Sequence, residues 1–284
     1  MRESTAAYGL TFPDLVGGRE FLRPARGDET PWRITREVTG PAALPTAGEP
    51  GDELTDRHAV HPLGDGGVAR IDRATRTTRL TTPHPVADRE VVHPHLASTA
   101  VVTALWRGLP ALHAGAVALG ENVFALLGDR GAGKSTAVWS LLQQGFSHVS
   151  DDVVVVAGDE VLPGPRCVDL RAPAARRLGV GEDLGVVGRR ERWRAAVPGE
   201  LPATLRLAGF VHLDWTGAQR STIGNLPFPQ RLQGVAAALA ARVPQHDPAG
   251  LLRLAAVPAV RWARPRDLDR VHESAAELAS ALRG

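Results

Sequence analysis

The stretch that most constrains this chain is Gly128-Asp129-Arg130-Gly131-Ala132-Gly133-Lys134-Ser135, followed by Thr136. It reads G-x-x-x-x-G-K-S, the spacing of a phosphate-binding loop. Glycines let successive backbone N–H groups turn inward and line a concavity for anionic oxygens. The helix expected to follow points its N-terminus, with its partial positive charge, at the same place. In such a loop Lys134 reaches the β- and γ-phosphates of a nucleotide, and the Ser135 hydroxyl ligates Mg²⁺. The flanks agree. Asn122 to Leu127 is a short apolar run that suits a buried strand. Ala137, Val138, Leu141 and Leu142 recur at helical spacing, and Gly145 is a stop signal. Of the 33 Lys plus Arg residues, Lys134 is the single lysine. A compact ammonium fits between phosphate oxygens where a planar guanidinium does not. The competing reading, a coincidental glycine turn before a helix, does not account for this strand, loop and helix order.

The next strand candidate supplies acid. Phe146 to Ser150 runs into Asp151-Asp152, and Val153 to Ala157 follows. Paired carboxylates one strand beyond a phosphate loop fit a Mg-nucleotide site. One holds the metal, directly or through water, and the other can accept a proton from an attacking hydroxyl. Elsewhere such a pair is most often a solvated turn. Arg189 to Arg194 places four arginines in six residues. That stretch reads equally as a phosphate-side cation cluster and as a charged surface strand. The ten histidines show no H-E-x-x-H spacing, and His93 and His95 lack adjacent Cys or carboxylate partners, so a zinc enzyme is not expected.

At 284 residues the chain has room for one large domain or two ordinary ones. Its 43% hydrophobic content supports a real core. A net charge of only +2 gives no bulk field for nucleic acid. One cysteine, Cys167, excludes an internal disulfide and points to a reducing compartment. There is no apolar signal core at the start and no run of about 18 apolar residues, so a soluble cytoplasmic protein with no membrane partner is expected.

Residues 1–94 are rich in Gly, Pro, Thr and Arg and read as a small β-rich N-terminal region that would help dock a substrate. Trp32 to Val38 alternates like a half-buried strand, and 39–51 is a Pro/Gly-rich loop. Gly67 to Asp72 and Thr77 to Thr82 are expected to pair as a hairpin. Arg70, Arg73, Arg76 and Arg79 read as a solvated surface before a docking one. Residues 95–284 read as an α/β domain. A helix is expected over Val91 to Trp106, with Pro94 in its first turn. One strand is expected over Ala111 to Leu119. Short strands are expected at Glu160 to Pro163 and Val168 to Arg171, a short helix at Ala172 to Leu178, and a mobile glycine-rich loop at Gly179 to Gly188. A strand over Leu205 to Leu213, a helix over Gln230 to Val243, a strand over Ala259 to Trp262 and a terminal helix over Leu268 to Leu282 complete the pattern.

The region from about Leu112 to Arg171 resembles the kinase domain of HPr kinase/phosphorylase and the wider HPr-kinase-like group. Three features carry the resemblance. They are Leu112-His113-Ala114-Gly115-Ala116-Val117 ahead of the loop, the loop itself, and Gly145 followed by Val149-Ser150-Asp151-Asp152, with Asp151 at the family's spacing from Lys134. The resemblance implies an α/β P-loop kinase domain of HPr kinase and phosphoenolpyruvate carboxykinase type with a mixed sheet. It implies ATP and Mg²⁺ as cofactors, Asp151 as base for a serine hydroxyl with His113 beside it, and Asp152 with Ser135 on the Mg²⁺ side. HPr kinases are hexamers, so it also implies a homo-oligomer. Departures are visible. Arg130 stands where a small residue is common, no Glu-Arg-Gly stretch is evident, and Val168-Asp169-Leu170-Arg171 is at most its remnant, with Arg171 as a phosphate-side cation. The looser relatives that modify ribosomally made peptides in biosynthetic clusters look closer than the bifunctional enzymes.

Three functions stay open on the sequence. The first is a Mg-ATP-dependent kinase acting on a Ser or Thr hydroxyl of a peptide or small protein. The second is a kinase of a small-molecule alcohol. The third is an ATP-binding regulatory module without transfer. The carboxylates with His113 favour transfer, since a switch needs no base.

Overall fold

The computed structural model describes residues 4–39, 53–64, 66–188, 190–241 and 247–284. The chain is mixed α/β with four sheets among the described residues, three of which combine parallel and antiparallel pairing.

The largest sheet has nine strands and is built around Asn122–Leu127. This strand is antiparallel to Gly115–Leu119 on one side and parallel to Arg206–Thr216 on the other. Ser147–Ser150 pairs antiparallel with Gly115–Leu119, and Ala259–Pro265 pairs parallel with Arg206–Thr216. These directions have one consequence for the site. The ends of Asn122–Leu127, Ser147–Ser150, Arg206–Thr216 and Ala259–Pro265 all meet the beginning of Gly115–Leu119 at one edge of the sheet. The glycine loop, the Asp151-Asp152 pair and His113 are therefore brought together by strand direction alone.

The central strand is buried on both faces, which is why its sequence reads as a continuous apolar run. Its side chains still alternate. Leu126 faces a core with Val138 and Leu141 of helix Lys134–Leu142, Leu278 of helix Val271–Arg283, and Trp262. Val123, Ala125 and Leu127 face the opposite core, with Val235 of helix Phe228–Ala238 and Leu254 of helix Pro248–Ala256. Truncating a buried leucine such as Leu126 to alanine is expected to cost about 2–5 kcal/mol.

The N-terminal region forms a four-stranded sheet and a five-stranded one. The expected hairpin is present as Val68–Asp72 against Thr77–Thr82, with Arg33–Val38 added in parallel. Leu80 and Ile71 bury in one cluster with Leu96 and Ala100 of helix Leu96–Trp106 and with Val153, Val155 and Cys167. The apolar core thus runs across residue 94 without a break.

Several expectations are corrected. The helix over Val91 to Trp106 begins only at Leu96, because His93 is extended at φ −153°, ψ 124°. The residue before a proline is pushed out of the helical region. The strand over Ala111 to Leu119 is broken at His113. Ala111–Leu112 pairs with Val154 and Val155, Gly115–Leu119 pairs elsewhere, and the His113 N–H is diverted to the Ala238 carbonyl at 2.6 Å. The glycine-rich 179–188 stretch contains a strand, Glu182–Val187, held by pairing to Arg190–Ala196. The helix expected to reach Val243 ends at Ala238, and the terminal helix starts at Val271. Helix Pro248–Ala256, capped by the Asp247 side chain, had no expectation at all. Residues 40–51 of the Pro/Gly-rich loop, Arg189 and Val243 lie outside the described residues.

Candidate active site

The glycine loop joins the central strand to helix Lys134–Leu142, as its pattern demands. Two glycines have steric reasons to be glycine. Gly128 sits at φ 157°, and a Cβ there would lie 2.9 Å from the Ala132 Cβ. Gly133, the residue before the helix, is left-handed at φ 80°, ψ 32°, and a Cβ would meet Arg264 Nη2 at 2.9 Å. The Lys134 Nζ folds back across the loop and donates to the Gly128 carbonyl at 2.7 Å and the Asp129 carbonyl at 3.3 Å. Burial pushes its pKa down, opposed by Asp152, Asp151 and Asp129.

Asp151 is 4% exposed. Its Oδ1 accepts a hydrogen bond from Ser135 Oγ at 3.1 Å. Burial, with the neighbouring Asp152 charge second, pushes its pKa up to about 7. Asp152 is more open, with 38% of its side chain exposed. It adopts φ 101°, unusual for a residue other than glycine. His113 Nδ1 lies 3.2 Å from Asp152 Oδ1 and 3.1 Å from the Asp152 carbonyl. Both of those oxygens accept, so Nδ1 carries the proton and Nε2 presents its lone pair. Burial holds the His113 pKa below its usual value despite Asp152, which keeps the ring neutral at pH 7. Close packing fixes this corner, since a Cβ on Gly115 would lie 2.6 Å from Val138 Cγ2.

These groups line a cleft of 630 Å³ that also takes in Thr136, Asp169, Arg171 and Arg190. Arg190 has its pKa lowered by burial first and then by Arg130 and Arg171, so three guanidinium groups crowd one side of the cleft. The remaining arginines of the 190–194 stretch behave differently. Arg194 Nε and Nη2 grip Asp169 at 2.7 and 2.9 Å, Arg192 adds a contact at 3.2 Å, and His93 Nε2 stands 3.6 Å away. They act as counter-ions within the wall, whereas Arg190 faces the cavity.

Among the described residues, no three His, Cys, Asp or Glu side chains are arranged to hold a metal by themselves. Mg²⁺ does not require such a cage. It binds through one or two carboxylates with hydroxyl, water and substrate phosphate oxygens. Ser135 Oγ, Asp151 and Asp152 are a donor set of that hard-oxygen kind.

Sequence reasoning passed over a second group. Arg264 is 3% exposed, and its Nη2 donates to the Ala132 carbonyl at 2.6 Å. Its guanidinium lies between two indoles, 4.3 Å from the Trp215 ring centroid and 4.5 Å from that of Trp262. Its Nη1 is buried without a hydrogen-bond partner. Burial pulls its pKa down to about 10. The available signal was Trp262-Ala263-Arg264 on a strand parallel to that of Trp215. A purely local reading cannot connect two segments nearly fifty residues apart.

No family model matches the chain, and no curated protein matches it. Among solved structures, the HPr(Ser) kinase/phosphatase from Coxiella burnetii is similar over 61% of this chain and 97% of that chain, with 11% identity and a TM-score of 0.26. A likeness at that TM-score carries no inference about fold or activity. Among the described residues, no helix is long and apolar enough to cross a membrane.

Proposed function

We propose that this chain is a phosphotransferase that moves the γ-phosphate of Mg-ATP to a Ser or Thr hydroxyl of a peptide or small protein. The observation that carries the reading is Asp151, buried at the lip of the glycine loop and bonded to Ser135, with no salt bridge among the described residues. A carboxylate held near neutral pKa is matched to taking a proton from a hydroxyl at pH 7. A module that only binds nucleotide has no use for one. When bound, Mg²⁺ would be held by Ser135 with the Asp151-Asp152 pair and would offset charge on the phosphates.

The protein's own groups then divide the work. Backbone N–H groups of Gly131 to Ser135 line the phosphates. Lys134 leaves its loop carbonyls for the phosphate oxygens. Arg130, Arg171 and Arg190 offset charge that builds on the transferring group. Asp151 takes the acceptor hydroxyl's proton, and His113, fixed by Asp152, would orient the acceptor by accepting at Nε2 from one of the peptide's N–H groups. The acceptor approaches past His113. That residue lines both the cleft and a second groove of 730 Å³ along helix Phe228–Ala238, where Gln230, Gln233 and Asp214 offer polar contacts. Two cavities meeting at one histidine favour an extended peptide over a compact alcohol. By analogy with the looser family relatives, a ribosomally made natural-product precursor is a fitting acceptor.

A second reading exchanges the two aspartates. The Ser135–Asp151 hydrogen bond favours it, because Ser135 is the expected metal ligand and its partner would share the ion. The more exposed Asp152, paired with His113, would then be the base. Nucleotide binding separates the two. If Asp151→Asn still binds Mg-ATP but does not turn over, Asp151 is the base. If Asp151→Asn loses Mg-ATP and Asp152→Asn keeps it, the roles are exchanged. The proposal as a whole is tested by ADP release from Mg-ATP with Ser- and Thr-containing peptides or simple alcohols present. Release stimulated by neither, with ATP bound, would leave the regulatory module standing.

A further inference from the structure

Resting on the nucleotide reading above, we propose that the wall formed by Trp215 and Pro265–Val271 binds the base of a purine nucleotide. The sheet sets the location. Trp215 and Pro265 end two strands that run parallel to the strand entering the glycine loop, one and two places away from it. In open α/β sheets, ligands lie in the crevice at the carboxyl ends of such strands. The Trp215 ring reaches the loop itself. Its Cη2 and Cζ2 lie 3.3 and 3.5 Å from where a Cβ of Gly133 would be, next to the N-terminal end of the loop helix. A nucleotide with its phosphates in the loop places its base a short distance outward from Thr136, along the same cleft.

The chemistry of the wall suits a flat, partly polar heterocycle. Trp215 is 36% exposed, unusual for so large an aromatic ring. Arg264 is held against it and tied to the Ala132 carbonyl, so ring and loop are fixed relative to each other. Beyond them, Pro265, Leu268 and Val271 offer apolar surface, and the exposed Asp267 offers an acceptor for an exocyclic amine. Arg266 also lies on this wall, 5.8 Å from the Trp215 ring centroid, while Arg171 and Arg190 on the opposite wall suit phosphate.

The test compares Mg-ATP with Mg-tripolyphosphate, which carries the same phosphate chain without ribose and base. Dissociation constants are measured for both ligands on the wild-type protein, Trp215→Leu and Trp215→Phe. The ratio of the two constants is read, because general damage to the loop weakens both ligands and cancels. Aromatic stacking of a base is worth about tenfold to a hundredfold in affinity. Wild type is expected to prefer ATP by at least that margin. Trp215→Leu is expected to lose most of the preference while still binding tripolyphosphate, and Trp215→Phe to retain most of it. A preference unchanged in Trp215→Leu, or absent from wild type, would overturn the base site and leave the phosphate site intact. Failure of wild type to bind either ligand would instead overturn the nucleotide reading, and the base site with it.

Discussion

Two buried aspartates line the same cleft and are treated in opposite ways. Asp169 is gripped by Arg194 and Arg192 with His93 close by, and these cations hold its pKa below the usual carboxylate range against the cost of burial. Asp151 is as deeply buried but has a serine hydroxyl and a second carboxylate for neighbours, and its pKa rises to about 7. Burial penalises both charges, and the partner decides the outcome. The Asp169 corner is a tie. Arg194 also donates to the carbonyls of Arg89 and His93, binding the segment before helix Leu96–Trp106 to the Cys167–Leu170 strand. The Asp151 corner has no salt bridge among the described residues, only the field of Lys134 from the loop, in the arrangement expected of an acid–base group.

This contrast can be broken from either side. The largest effect is expected from Lys134→Ala, which removes the one cation aimed at both the phosphates and the Asp151 corner. It should abolish nearly all turnover and most Mg-ATP affinity, read by calorimetric titration and ADP release. Unchanged turnover would remove the glycine loop from the chemistry. Next, Asp151→Asn should lower turnover by roughly 10²–10⁴-fold with stability equal to or above wild type, because an uncompensated buried charge is gone. Asp169→Asn should do the reverse. It strands Arg194 in the interior and should cost about 3–5 kcal/mol in urea unfolding. Similar losses of stability in the two variants would erase the distinction drawn here.

The smallest effect sharpens the same rule on a base. His148 is buried under Arg23, whose Nη2 lies 3.5 Å from the ring and donates to the His148 carbonyl at 2.8 Å. Burial first, and Arg23 second, lower its pKa to about 3. The unfolded chain therefore binds this proton more readily. Stability from keeping the ring neutral is present above the unfolded pKa of about 6.5 and is lost as pH falls toward 3. Between pH 7.5 and 5 the loss from this group is about 2 kcal/mol. In urea melts, His148→Gln should remove that increment of acid sensitivity. An identical pH slope in wild type and variant would show that His148 is not held neutral.

How far the sequence reached follows from what is local. Strand, glycine loop and helix were legible because one pattern encodes all three, and the Val68–Asp72 hairpin because alternation and a short turn suffice. His113 and Asp151-Asp152 could be singled out by motif, but their convergence depends on the directions of three strands. The break at His113 was hidden because Ala111 to Leu119 is apolar throughout, and pairing, not propensity, divides it. Arg194 read equally as a phosphate-side cation and as surface charge, and neither reading found its role, because its partner Asp169 lies 25 residues away and its burial is tertiary. Trp215 and Arg264 were silent for the same reason. Each is ordinary in its own strand, and their meeting over the loop is set by sheet order.

Intact-mass and fragment mass spectrometry tests the central claim most directly. Peptides encoded beside this gene would be incubated with Mg-ATP and either the wild-type protein or Asp151→Asn. The account predicts one added phosphate on a Ser or Thr with wild type, and none over the same period with Asp151→Asn although it still binds Mg-ATP. Equal phosphorylation by both proteins would contradict the role given to the uncompensated aspartate. No phosphorylation of any peptide, with ATP bound, would contradict the peptide acceptor.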